Sequence, residues 1–290
     1  MLITIQNEKL QLTIDTLGAQ MMSLIADGIE YLWQGDPKYW ADRAPTLFPF
    51  IGRLTDNTCK VHGKVYPMGL HGFARNMEFS LVEKTESSVT LSLGSNAQTE
   101  AQYPFDFRFQ VVYQLEGDRL DVRSIVENLG GETMPFALGG HPGFNVPLTK
   151  GEKFEDYVLE FTQECLPDKI CFTPTVYLNG QEVVYPLEGG KRIPLRHDLF
   201  DDDAVVLKNA DREVTLRSTV SGKGVRVAYP YLPYIGFWHL PKSDAPYVCI
   251  EPWSSLPSRQ DVVEELTCKS DMIRLEAGKN WDSTWSITVF

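Results

Sequence analysis

The sequence predicts an all-β protein, a large antiparallel β-sandwich. Three observations carry that expectation: apolar residues recur at every second position in many short runs, turn residues separate those runs, and good helix candidates are scarce. The opening "MLITIQNEKLQLTID" alternates like a strand, and "SSVTLSLGS" repeats the pattern. "PFDFRFQVVYQL" sets Phe105, Phe107, Phe109 and Val111 on one face, with Asp106, Arg108 and Gln110 on the other. Helical spacing would scatter those phenylalanines around an axis, whereas a strand lines them up. "EGD" follows and "RLDVRSIVEN" resumes the alternation, which predicts a hairpin. "REVTLRSTV", "KGVRVAYPYL" and the closing "WDSTWSITVF" continue it; in the last, Trp281, Trp285, Ile287 and Val289 share one parity. For helix there is a possible turn in "DPKYWADRAP" and one or two turns in "SRQDVVEELTC". No composition shift, low-complexity linker or fixed-period repeat divides the chain, so residues 1–290 are expected to form one domain.

Composition narrows the function classes. A hydrophobic fraction of 43% with 23% charged residues suits a soluble globular protein with a real core. No apolar run is long enough to span a bilayer, and the N-terminus lacks the layout of a signal peptide, which favours the cytoplasm. Lysine and arginine number 27 against 39 acidic residues, a formal charge of −12. Such a surface repels nucleic-acid backbones and anionic membranes but leaves a neutral small molecule unaffected. Five scattered cysteines cannot all pair and read as free thiols. "CKVH" (Cys59 and His62) resembles half of a zinc site, yet no second close pair follows it, so no metal is expected.

Four segments break the alternation, and each sets a charged or imidazole group among glycine, proline and aromatic residues. They are "APTLFPFIGRLTD" with Arg53, "YPMGLHGFARN" with His71, "GGHPGFNVP" with His141 and "YVCIEPWSSLP" with Glu251. The segment around His141 is too rich in glycine and proline for the interior of a regular helix or a central strand. Taken singly, Arg53 reads as a solvated strand end or ion-pair partner, and His71 and His141 as turn residues bonded locally. Glu251 is more informative, because a carboxylate after the apolar Val248–Ile250 run is part-buried, with a raised pKa and a need for a partner. His62, His197 and His239 stand in ordinary contexts. Phe73, Phe144, Trp238 and Trp253 lie near these segments and could supply apolar platforms in a small-molecule pocket. There is no G-x-S-x-G elbow, phosphate loop or dinucleotide-binding glycine pattern.

In this order, "LFPFIGRL", "GLHGFAR", "GGHPGFNVP" and "CIEPW" resemble the aldose 1-epimerase (galactose mutarotase) family, in particular its LacX-like branch. The likeness runs from "LGAQMMSLIADGIEYLWQGDPKYW" to the closing tryptophan strand. It implies a β-supersandwich with sugar in an open cleft, His141 as general acid and Glu251 as general base. It further implies that Arg53 and His71 bind the sugar, and "LFDDDAVVL" offers Asp203 for its hydroxyls. "PWSSLPSRQ" departs from the pattern of the better-known galactose mutarotases, so substrate choice does not carry over.

The expected chemistry is the interconversion of the α and β anomers of a free hexose. Ring opening takes a proton from the anomeric hydroxyl and gives one to the ring oxygen, which calls for one base and one acid and for no cofactor. Burial raises the glutamate, and a neighbouring carboxylate can raise the histidine. Three rivals remain open. A glycosidase would need two carboxylates flanking the bond. A sugar-binding or sensor protein of the same fold would need neither acid nor base. A mutarotase of a modified or phosphorylated hexose would want a local basic cluster.

Overall fold

Alternating apolar residues give strands that bury one face, and the turns between them return the chain antiparallel. The computed structural model describes residues 1–290, with 48% of the chain in strands and 6% in helices. The larger sheet has nine strands. From one edge they are Arg192–Pro194, Tyr157–Phe161, Glu213–Ser218, Gly224–Ala228, Asn280–Val289, Arg119–Asn128, Phe107–Glu116, Ser88–Gly94 and Ser80–Lys84. The expected hairpin is present, pairing Phe107↔Asn128 through to Glu116↔Arg119 around a turn with Gly117 in the left-handed region (φ 59°). The strand starts two residues after the apolar run does, yet Phe105 still enters the core beside Phe107, Phe109 and Val111.

A second sheet of eight strands carries Trp238, Glu251 and Trp253, which line a cavity. Its order is Leu178–Val184, Asp168–Phe172, Val205–Lys208, Tyr234–Trp238, Tyr247–Trp253, Gly139–Gly140 and Thr46–Leu47, and Gly143–Asn145 also pairs with Tyr247–Trp253. The N-terminal residues form a separate four-stranded sheet from Leu2 to Glu30. One apolar cluster of 73 buried residues joins the sheets: Phe107, Phe109 and Trp285 come from the nine-stranded sheet, Val206, Ile235 and Ile250 from the eight-stranded one.

The α-helix is a single turn, Ala97–Glu100, capped reciprocally by Asn96 and Thr99. The expected helical turns in "SRQDVVEELTC" do not form; residues 258–268 are turns and isolated bridges. The Glu264 carboxylate accepts from the Arg259 backbone and guanidinium, and the Ser258 hydroxyl donates to the Val262 carbonyl. These side-chain bonds take the place of a helical ladder. "DPKYWADRAP" does contain a turn, closed from Tyr39 and Trp40 onto the Asp36 carbonyl. No helix is long and apolar enough to cross a membrane.

Candidate active site

The strand Tyr247–Trp253 is buried along its whole length, and its two-residue period divides the burial between two destinations. Val248 and Ile250 enter the common core, whereas Tyr247 and Cys249 join a small aromatic cluster with Trp33 on the other face. Glu251 shares the parity of Tyr247 and Cys249, so it points away from the core. The partner segment pairs as Gly139↔Trp253 and Gly143↔Cys249. Both pairs belong to one register, and the position between them sets His141 opposite Glu251. The segment thus forms two short strands interrupted at His141 and Pro142, where proline has no N–H to give. Its glycines provide clearance rather than backbone freedom: a Cβ on Gly140 would lie 2.5 Å from the Trp285 indole.

His141 Nε2 and Glu251 Oε2 lie 3.2 Å apart, on side chains only 10% and 2% exposed. They touch without the alignment of a hydrogen bond, which leaves Glu251 Oε2 without a hydrogen-bond partner, as His141 Nδ1 and Trp253 Nε1 are. Burial pushes the Glu251 carboxyl well above its ordinary range, and the charge of Asp203 adds to that. His141 goes down to about 3, through burial first and the nearby Arg75 second. The expected upward push from the carboxylate is overridden, because a carboxyl that burial keeps protonated offers no charge to attract a proton.

His71 is held in the left-handed region (φ 62°), an uncommon place for a residue with a Cβ. Two bonds to Gly52 keep it there. Its N–H donates to the Gly52 carbonyl at 3.0 Å, and its Nδ1 accepts the Gly52 N–H at 3.0 Å. Burial, with His141, Arg75 and Arg53 nearby, keeps the ring neutral. With Nδ1 accepting, the proton sits on Nε2, so His71 is a hydrogen-bond donor. Its ring stands perpendicular to that of His141, with centroids 5.4 Å apart.

These groups share one cavity of about 290 Å³, lined by Arg53, His71, His141, Asp203 and Glu251 among others. Asp203 is in the left-handed region (φ 80°), with its carboxylate accepting the Ala204 N–H at 2.8 Å. Arg53 is exposed, and its carbonyl accepts from Ser258 N–H. Trp40, Asp42 and Arg75 are among the lining residues that sequence reasoning missed. Trp40 lies over the His141 ring with centroids 4.9 Å apart, and Arg75 is ion-paired with Asp42. The signal for Arg75 was present in "GLHGFAR", while Trp40 and Asp42 sat in a stretch that showed only a turn. Of the four aromatic platforms expected, Trp238 and Trp253 line the cavity; Phe73 and Phe144 are buried in the core instead. Their places follow the strand pleat and the packing on Phe48, which neighbourhood in sequence does not reveal.

A larger hollow of about 410 Å³ lies between Leu178, Arg259 and Lys269, but its buried charges are already matched: Lys269 by Asp271 and Ser255, Glu264 by the exposed Arg259. Nor does the half zinc motif assemble. Cys59 is buried in the core, and His62 is exposed and meets Glu132 at 2.6 Å.

The fold is an all-β sandwich whose cavity holds a buried imidazole–carboxylate contact between aromatic walls. The family model for aldose 1-epimerase matches residues 1–287. The chain is 38% identical to Protein LacX of Lactococcus lactis subsp. lactis over 302 aligned positions, covering 100% of this chain and 99% of the relative. A galactose mutarotase related enzyme from Lactobacillus acidophilus superposes with a TM-score of 0.95 at 35% identity, covering 100% and 97% of the two chains. A galactose mutarotase-like protein from Lactobacillus casei gives 0.95 at 33% identity, with 100% of both covered. The chain belongs to the aldose 1-epimerase family, with the galactose mutarotase-like sandwich fold.

Proposed function

We propose that this protein interconverts the α and β anomers of a free hexose by general acid and base catalysis, with Glu251 as base and His141 as acid. The observation that carries the reading is the buried contact of 3.2 Å between Glu251 Oε2 and His141 Nε2 on the wall of the cavity. The anomeric and ring oxygens of a hemiacetal hang on the same carbon, so an acid and a base that touch each other can each reach one of them. Glu251 takes the proton of the anomeric hydroxyl while His141 delivers one to the ring oxygen. The C1–O5 bond breaks, the aldehyde turns about C1–C2, and the reverse transfers close the ring on its other face. The two protonation patterns, Glu251 ionised with His141 charged and both neutral, therefore alternate within one turnover. Burial favours the neutral pattern in the free protein. The hydroxyls of a sugar, with Arg53 and a donating His71 Nε2, favour the charged one.

The sugar-binding roles of Arg53, His71 and Asp203 are part of the same proposal. Their common cavity supports it, and the 73-residue core shared by the sheets supports treating residues 1–290 as one unit. The relatives' names make galactose the first sugar to test. Exchange between anomers, followed by polarimetry or NMR with the spontaneous rate subtracted, should fall by roughly 10²-fold in Glu251→Gln. His141→Asn should do the same, and the double variant should cost less than the sum because both groups act on one transition state. Full activity in Glu251→Gln would show that Glu251 is not the base, whereas wild-type exchange no faster than the spontaneous rate would favour a sugar-binding protein. Cleavage of a disaccharide would favour a glycosidase.

A further inference from the structure

Cys249 stands two residues before Glu251 on the same face of the same strand, and mutarotation has no use for it. Its sulfur, a His141 ring nitrogen and a Glu251 carboxylate oxygen all lie within 4.8 Å of one another, and all three residues are buried. Two of these groups carry an unpartnered buried atom: Oε2 of Glu251, which is 1% exposed, and Nδ1 of His141. A nitrogen, a sulfur and an oxygen in one tight cluster are the donor set of a borderline-soft cation.

We propose that His141, Cys249 and Glu251 form a binding site for a soft divalent cation, Zn²⁺ or Cd²⁺, whose occupation excludes the sugar. Tetrahedral zinc bonds put neighbouring nitrogen and oxygen ligands about 3.4 Å apart. His141 and Glu251 already stand at 3.2 Å, and the sulfur lies within 4.8 Å of both. Charge also selects the ion. A thiolate and a carboxylate cancel a divalent cation, leaving a neutral cluster where an unbalanced charge would be costly. The Cys249 proton and the proton held by the His141–Glu251 pair pass to solvent. A fourth position faces the cavity and takes water. The overall charge of −12 draws cations toward the protein. The inhibitory consequence rests on the proposed roles of His141 and Glu251; the binding itself does not.

The test is a titration of full-length protein with Cd²⁺, read by the ultraviolet thiolate-to-cadmium charge-transfer band. Cys165, Cys171 and Cys268 are changed to serine beforehand to silence thiols outside the core. One equivalent should bind, and Cys249→Ser should abolish the band. His141→Asn and Glu251→Gln, which leave the thiol in place, should each weaken binding by at least the roughly tenfold that loss of a supporting partner costs a metal site. A band that survives Cys249→Ser, or affinity unchanged in both other variants, overturns the site. If Cd²⁺ binds through these residues but anomer exchange continues, the site stands and the assignment of acid and base fails.

Discussion

A proton added to or removed from His141 and Glu251 belongs to the pair, because 3.2 Å of buried contact couples their titrations. On the proposed mechanism, the working form holds one proton between them. A second proton enters only as His141 charges, which burial and Arg75 hold down to about 3. The last proton leaves only when Glu251 ionises, which burial and Asp203 push well above the carboxylate range. The rate should therefore follow a broad bell. Its acid limb should fall well below the ordinary histidine value of about 6.5, and its basic limb above the ordinary glutamate value of about 4.3. A profile of kcat/KM against pH with an acid limb near the ordinary histidine value would contradict the assignment. Stability carries the same sign. A group whose folded pKa is raised contributes fully below its unfolded pKa and loses that contribution as pH rises. Glu251 thus weakens the fold at neutral pH, and Glu251→Gln should raise Tm there by about 2 °C or more. The gain should vanish near pH 4, where the unfolded carboxyl is protonated too. A variant equally stable or less stable at neutral pH would show that Glu251 sits in a more polar setting than its burial implies.

Strands decide which of these groups meet. Tyr247–Trp253 brings Glu251 to the cavity by parity, and one register across the His141–Pro142 interruption brings the histidine opposite it. That register depends on close approach to the nine-stranded sheet. Adding a methyl group at Gly140 would force a contact at 2.5 Å with Trp285. Gly140→Ala should cost about 1–3 kcal/mol, typical of overpacking, and should lower the rate by displacing His141. Denaturant unfolding would measure the first, and an unchanged midpoint would mean that the indole yields freely. Much of this architecture was legible in the sequence, because period two is a local signal: Phe105, Phe107, Phe109 and Val111 enter the core as expected. The meeting of Arg53, His71, His141 and Glu251 was legible only through family motifs, since no local pattern specifies which strands lie side by side. The one or two helical turns expected at 258–268 fail for another reason: the Ser258 and Glu264 side chains capture the backbone. Arg75, Asp42 and Trp40 were hidden because an ion pair across 33 positions and a tryptophan over His141 exist only once the chain is folded.

For the whole molecule, the relevant quantity is a surface charge of −12 around a cavity that carries both signs. Arg53 and Arg75 face it together with Asp42, Asp203 and Glu251, and Arg75 is already paired with Asp42. This leaves Arg53 as the cation with most freedom to meet a ligand, too little for the basic cluster that a phosphorylated sugar would call for. A neutral hexose feels neither the outer field nor its screening, whose range shrinks to roughly 10 Å at about 0.1 M salt. Its kcat/KM should change by less than about twofold between about 0.02 and 0.3 M salt, because no net charge moves through the field. A hexose phosphate would behave differently. Approaching an anionic protein and then meeting Arg53, it would show a marked dependence on salt in one direction or the other. Measuring anomer exchange for the same hexose with and without its phosphate, across that range, separates the two substrates on one protein. If the phosphorylated sugar turned over faster and its rate tracked ionic strength, the neutral-hexose reading would give way. The acid and base would keep their roles, and Arg53 and Arg75 would become the residues that choose the substrate.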